Sequence, residues 1–286
     1  MKNIIIASSF IILCLLSHSV VSETLRISPE QLKQQLSDKN IIILDARSTA
    51  DYLAGHIRGA LSFPVNLTYK NKKINGTINQ PTIIQQYFRS RGITKMSQLI
   101  VYDNGEIVDA ARLFWVLEVY GLTNIKILDH GFDDWLNKAY PVSFKQAKTT
   151  PSQYIATLNH RRLASKFTTQ LATRNANQII IDARDYSAYI GKTSTAKRFG
   201  HIPGAIHIAA SHNLATTQGV TSLKPLNELE RLYDSIAKDK KVVIYCSIGR
   251  VSSTNYLVLR ELGYDVSNYD ASWNEWGNDD KLPIEK

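Results

Sequence analysis

Cysteine is scarce: the 286-residue chain holds two, Cys14 and Cys246. A scaffold held together by disulfides is therefore excluded. Low-complexity tracts are missing as well. With 44% hydrophobic and 21% charged residues, the chain has the make-up of a globular protein with real cores. Lysine and arginine outnumber the acids, 34 to 25, for a net charge of +9 at pH 7. These basic residues are scattered, as in Lys70, Lys72 and Lys73, Arg161 and Arg162, and Lys238, Lys240 and Lys241. No long basic run or basic helix interleaved with aromatics is present, which argues against nucleic acid as a partner. A diffuse positive field suits a small anionic substrate instead.

The longest apolar run, Ile4 to Leu16, follows a positive start at Met1-Lys2-Asn3. Small and polar residues then lead to Ser22. Charge, apolar core and small-residue end are the pattern of a secretory signal peptide. The run is shorter than the roughly 20 residues that span a bilayer, so stable membrane insertion is not expected. Lipid attachment at Cys14 would need small residues just before it, and Ile11-Ile12-Leu13 stand there. Cleavage near Ser22 is expected, with export, most simply to a periplasm. Cys14 then leaves with the leader, and Cys246 remains as a lone thiol in an exported protein.

The rest of the chain repeats itself. Ile41-Ile42-Ile43-Leu44-Asp45-Ala46-Arg47 matches Ile179-Ile180-Ile181-Asp182-Ala183-Arg184. Gly55-His56-Ile57-Arg58-Gly59-Ala60 matches Gly200-His201-Ile202-Pro203-Gly204-Ala205. Leu99 to Asp103 matches Val242 to Cys246, and Asp129 to Trp135 matches Asp270 to Trp276. The blocks recur in the same order. Each half alternates short apolar runs with helical patterns, such as Ile41–Leu44, Leu99–Tyr102 and Val242–Tyr245 against Pro81–Arg89, Val108–Tyr120, Leu226–Ala237 and Ser252–Leu262. Ser28-Pro29-Glu30-Gln31 is a capped helix start. This alternation predicts an α/β fold, with a parallel sheet covered on both faces in each half. The expected division is a leader over 1–22, a first unit over 23–144, a linker over 145–160 and a second unit over 161–286.

Cys246 follows an apolar run and precedes Ser247-Ile248-Gly249-Arg250-Val251, after which Ser252-Ser253 opens a helix. The carboxyl end of a parallel strand is where ligands bind in such sheets. Free amides of a tight loop, with a helix N-terminus, favour an anion and hence the thiolate. Arg250 adds a positive charge. Cys246 is thus placed as a nucleophile; the alternative is a buried structural cysteine.

These blocks resemble the rhodanese sulfurtransferases. They include the Asp-Ala-Arg after the first strand, the Gly-His-Ile-x-Gly-Ala block, the Cys-x-x-Gly loop and the aromatic-x-x-Trp ending. The resemblance spans nearly the whole chain after the leader. It implies two tandem rhodanese-like domains, each a central parallel β-sheet flanked by helices, with the active site between them. It implies transfer of sulfane sulfur through a persulfide on Cys246, from thiosulfate or a similar anionic donor to cyanide or a thiol, without metal or organic cofactor. It makes Arg184, Arg250, Ser247, Ile248, Gly249 and Val251 the substrate-binding residues; for Arg184 the alternative is a salt bridge to a nearby carboxylate such as Asp182 or Asp185. The first half carries Asp103 where the thiol would stand, and a carboxylate cannot hold a persulfide, so that half is expected to be catalytically silent. His56 and His201 recur in both halves and are expected to tie loops; Trp135 and Trp276 are expected to pack the cores; Arg47 is the twin of Arg184.

Thiosulfate-type members often carry basic residues just after the cysteine, and mercaptopyruvate-type members a Cys-Gly-Ser-Gly. The loop here fits neither, and the Arg250 cation favours thiosulfate. A phosphatase on this fold needs Cys-x5-Arg, but Ser252 stands at that position. A persulfide carrier without turnover is the other alternative.

Overall fold

In the computed structural model, which describes residues 24–70 and 76–286, the short apolar runs form two parallel sheets. The expected leader, Cys14, Lys72 and Lys73 lie outside the described residues. The first sheet contains β1 (Arg26–Ile27), β2 (Ile41–Asp45), β3 (Leu61–Ser62), β4 (Gln98–Tyr102) and β5 (Ile125–Leu128). The second contains β6 (Leu163–Ala164), β7 (Gln178–Asp182), β8 (Ile206–His207), β9 (Lys241–Tyr245) and β10 (Asp265–Tyr269). Their orders are β1-β5-β4-β2-β3 and β6-β10-β9-β7-β8. Position for position the two orders are the same, so the sequence repeat is a repeat of topology. Every pairing within these two sheets is parallel.

Strands buried on both faces explain the unalternating Ile-Ile-Ile and Val-Val-Ile runs. Helices cover them: α1 (Pro29–Gln35), α2 (Pro81–Ser90), α3 (Val108–Val119) and α4 (Gly131–Asn137) in the first half, and α5 (Leu226–Leu232), α6 (Ser252–Glu261) and α7 (Ser272–Trp276) in the second. Helix α1 starts with the expected capping box, Ser28 Oγ accepting from Gln31 N and Gln31 Oε1 accepting from Ser28 N. Helix α5 ends at Leu232, short of the expected Ala237. Tyr233 is drawn into the core instead, where its hydroxyl donates to Asn213 at 2.8 Å.

The two halves share one core. Leu113, Phe114 and Leu117 of α3 belong to the same buried cluster as Tyr256, Leu257 and Val258 of α6. Between these helices the Phe114 and Tyr256 rings lie 6.4 Å apart, and Tyr256 donates to Glu118 Oε2 at 2.6 Å. Segment 145–160 contains neither helix nor strand, yet it is not a loose tether. Tyr154 is buried against Phe88, its hydroxyl donating to the Tyr120 carbonyl at 2.5 Å. Among the described residues no helix is long and apolar enough to cross a membrane.

Candidate active site

Strand β9 lies in the middle of the second sheet, and the chain leaves its carboxyl end at Cys246. The thiol is fully buried from bulk solvent but borders a cavity of about 460 Å³. Ala183, Arg184, Ala210, Ile248 and Val251 line that cavity together with Val108 from the first half. Ser252 Oγ donates to Cys246 Sγ at 3.4 Å and to Asn268 Oδ1 at 2.9 Å. The Asn268 amide is fixed from its other end, donating to the Gly249 carbonyl and to Ser253 Oγ. The backbone of the loop is anchored by α7: Trp273 N donates to the Cys246 carbonyl and Asn274 N to that of Ser247.

Backbone amides from Ser247 to Val251 donate to no acceptor among the described residues. An anion on the thiol side of this loop therefore finds unpaired donors. In the first half the corresponding loop is filled from within. Asp103 Oδ1 accepts from the amides of Gly105 and Ile107, and Oδ2 from those of Asp109 and Ala110, at 2.9 to 3.1 Å. Its carboxylate is its own ligand. Burial lifts the Asp103 carboxyl above the ordinary aspartate range, and the amides offset part of that rise.

Arg184 is held on the wall of the cavity. Its Nε and Nη2 grip Asp182, at 2.9 and 2.5 Å, and Nη2 also donates to the Gly200 carbonyl at 2.8 Å. Tyr245 donates to the same Asp182 carboxylate at 2.6 Å. Burial works against the guanidinium charge and Asp182 more than offsets it, leaving Arg184 above its ordinary value. Arg47, Asp45, Gly55 and Tyr102 repeat this arrangement in the first half, so the ion pair is part of the architecture. What remains for a ligand is Arg184 Nη1, buried and without a partner. A second orphan on the cavity lining is Thr254 Oγ1.

The remaining expected binding residues divide. Ser247, Ile248, Arg250 and Val251 line the cavity with Cys246. Gly249 does not. It turns the chain at φ +70°, and a Cβ there would stand 2.4 Å from the Asp270 carbonyl oxygen, so its part is to bend the loop. Arg250 supplies its positive charge as half of an ion pair: Nε donates to Asp109 Oδ1 at 2.7 Å, and Nη2 lies 2.7 Å from the same oxygen. The partner comes from the other half and is invisible to any local reading of the loop.

Three further contributions from the first half escape sequence reasoning. Asp109 is one. Arg112 of α3, fully buried, donates through Nη1 to the Gly249 carbonyl at 3.0 Å and through Nη2 to that of Gly76 at 2.6 Å. Burial pushes this guanidinium below its ordinary value, though an arginine remains cationic. Gly76 is the third, packed so closely that a Cβ would lie 1.7 Å from the Ile248 carbonyl oxygen. A signal for Arg112 existed: it is one of only two charges, with Glu118, in the stretch Ala110–Val119 that is otherwise apolar on all sides. The histidines sit as loop ties, His56 and His201 bonding through Nδ1 to the carbonyls of Tyr52 and Tyr189. Trp135 and Trp276 are fully buried, their indoles donating to Pro141 and Pro283.

A sequence profile of the rhodanese-like domain matches residues 28–138 and again 164–279. The chain belongs to the rhodanese-like family. Each half is a rhodanese-like domain, and Cys246 lies in the second. The chain is 27% identical to the 3-mercaptopyruvate sulfurtransferase of Escherichia coli, over 93% of this chain and 99% of that protein. It is 29% identical to the thiosulfate sulfurtransferase of Pseudomonas aeruginosa, over 91% and 96%, and 30% identical to a putative thiosulfate sulfurtransferase, SseA, of Mycobacterium tuberculosis, over 87% and 83%. The crystal structure of the Escherichia coli 3-mercaptopyruvate enzyme superposes with a TM-score of 0.78 at 25% identity, covering 87% of this chain and 99% of that one. EanB, solved with ergothioneine, shares the fold at a TM-score of 0.80 and 20% identity, over 91% of this chain and 69% of that one.

Proposed function

We propose that this rhodanese-like protein transfers sulfane sulfur from thiosulfate, through a persulfide on Cys246, to a thiophilic acceptor such as cyanide or a thiol. One observation carries the reading: a single thiol borders a cavity that is also lined by two guanidinium groups, one of them with an unpartnered nitrogen. The Cys246 thiolate attacks the outer sulfur of thiosulfate, the S–S bond of the donor breaks, and its electron pair leaves on sulfite. Charge is conserved, because the persulfide keeps the negative charge of the thiolate. The unpaired amides of the Ser247–Val251 loop and the Ser252 hydroxyl are placed to hold that charge. Cyanide then attacks the outer sulfur, leaves as thiocyanate and returns the thiolate.

The second reading takes 3-mercaptopyruvate as donor. Asp109 favours it, since a paired Arg250 presents less positive charge to a dianion. So do the apolar residues Ile248, Val251 and Leu214 among those that line the cavity. Relatives of both names match along nearly their whole length.

Export is part of the proposal, supported by the charged, apolar and small-residue order of residues 1–22. N-terminal sequencing of the protein recovered from the cell envelope is expected to begin near Glu23; an intact Met1 on all of the secreted material overturns this.

The deciding assay is steady-state sulfur transfer to cyanide with each donor. Turnover is expected to vanish in Cys246→Ala and to survive in Asp103→Ala, with the better donor naming the enzyme. No turnover with either donor, from folded protein whose Cys246 still alkylates, leaves a persulfide carrier.

A further inference from the structure

Arg250 reaches the cavity from the loop that follows Cys246, yet its guanidinium is held by the other domain. Asp109 Oδ1 accepts from Arg250 Nε at 2.7 Å and forms an ion pair with Nη2 at 2.7 Å. Asp109 is fixed in turn. It lies in the first turn of α3, where the helix dipole favours a carboxylate, and its amide donates to Asp103 Oδ2 at 3.1 Å. Glu106 adds a further negative charge in reach of Arg250. On the opposite wall Arg184 is paired with Asp182, and Asp185 borders the same cavity. Each guanidinium that faces the thiol thus brings its own carboxylate.

We propose that Asp109 is a specificity-determining residue for the sulfur donor: by holding Arg250 it withdraws positive charge from the cavity and disfavours dianionic donors against singly charged ones. The inference rests on the sulfur-transfer reading of Cys246. It gives the domain without a thiol a part in choosing the substrate, beyond closing the site. The physical basis is that Coulomb energy scales with the product of the charges, so a dianion feels the Asp109 charge twice as strongly as a monoanion. The side chains of Arg250 and Asp109 are 37% and 24% exposed, so solvent and salt weaken the effect without abolishing it.

Asp109→Asn keeps the shape of the side chain and one acceptor oxygen but removes the charge. The KM for thiosulfate is expected to fall about three- to tenfold, and that for 3-mercaptopyruvate by only about the square root of that factor, roughly two- to threefold, the size of a partly screened unit charge. The selective gain is expected to shrink as potassium chloride is added. Asp109→Ser, which also lacks the charge, guards against a packing effect of the asparagine. An equal change for both donors overturns the proposal. So does a rise in the KM for thiosulfate, which would mean that Asp109 presents Arg250 to the substrate.

A readout without turnover separates this from the functional reading. Sulfate and pyruvate, one doubly and one singly charged, are tested for protection of Cys246 against the neutral reagent iodoacetamide. Asp109→Asn is expected to strengthen protection by sulfate by the same roughly three- to tenfold and that by pyruvate by only about the square root of that factor. Sulfate protection that is identical in both proteins sinks the role of Asp109 whether or not the enzyme turns over. Stronger sulfate protection in the variant, with no sulfur transfer by the native protein, supports the charge effect and discards the sulfurtransferase.

Discussion

Ser252 has one hydroxyl proton and two acceptors, Cys246 Sγ at 3.4 Å and Asn268 Oδ1 at 2.9 Å. Asn268 cannot turn away, because its amide nitrogen is already committed to Gly249 and Ser253. When the proton points at Asn268, a thiol can donate to Ser252; when it points at sulfur, a thiolate is favoured. Ser252→Ala removes the one side-chain hydrogen bond at the sulfur. Alkylation of Cys246 by iodoacetamide at pH 7 is expected to slow about fivefold, the worth of a hydrogen bond of about 1 kcal/mol. An unchanged rate would show that the loop amides alone hold the thiolate. Asp103 calls for a different measurement. Asp103→Ala leaves four amides without their acceptor in a buried loop, and a loss of about 2–4 kcal/mol is expected in urea unfolding, with sulfur transfer retained. At this scale Cys246 was singled out by its place after an apolar strand, and Arg184 by the resemblance of its Asp-Ala-Arg block. The roles of Ser252 and Asn268 were not, because the two are brought together by the packing of α6 on β10.

Helix α3 shows how an element can serve a site in another domain. Ten consecutive residues, Ala110 to Val119, are buried, and the two charges among them are both spent across the domain interface. Arg112 ties down the active loop through the Gly249 carbonyl. Glu118 receives Tyr256 and Arg260 of α6. Arg112→Met fills the space with an apolar chain but strands two carbonyls. It is expected to cost about 2–4 kcal/mol of stability and to depress sulfur transfer with thiosulfate through kcat, as the loop loses its anchor. Native kcat in a folded Arg112→Met protein would show that α7 alone keeps the loop in place. The sequence predicted a helix over Val108–Tyr120, and α3 forms over Val108–Val119. Its two charges are the only mark in the sequence that it faces a second protein surface rather than the core of its own half.

The whole molecule behaves as two copies of one topology fused through a common core. Since Leu113, Phe114 and Leu117 share a cluster with Tyr256, Leu257 and Val258, the halves are expected to unfold in one transition. Phe114→Ala is expected to cost about 3–5 kcal/mol in urea unfolding, and to lower the stability of both halves together when fluorescence is compared with circular dichroism. Two separated transitions would show that the domains stand alone.

Sequence alone determined the α/β class, the repeat, the strand that delivers Cys246 and the carboxylate that stands in place of a thiol in the first half. Those features depend on residues close together in the chain, where periodicity, turn chemistry and the identity of one side chain are enough. Only the tertiary structure decided that Asp103 fills its own loop, that Gly249 bends the loop against Asp270, and that Arg250 is held by Asp109. The decisive contacts from the first half, Asp109 to Arg250 and Arg112 to Gly249, join residues 141 and 137 positions apart. No local pattern encodes such a pairing; it arises when two amphipathic solutions of the same fold bury their apolar helices against each other and the charges on those helices must find partners out of water.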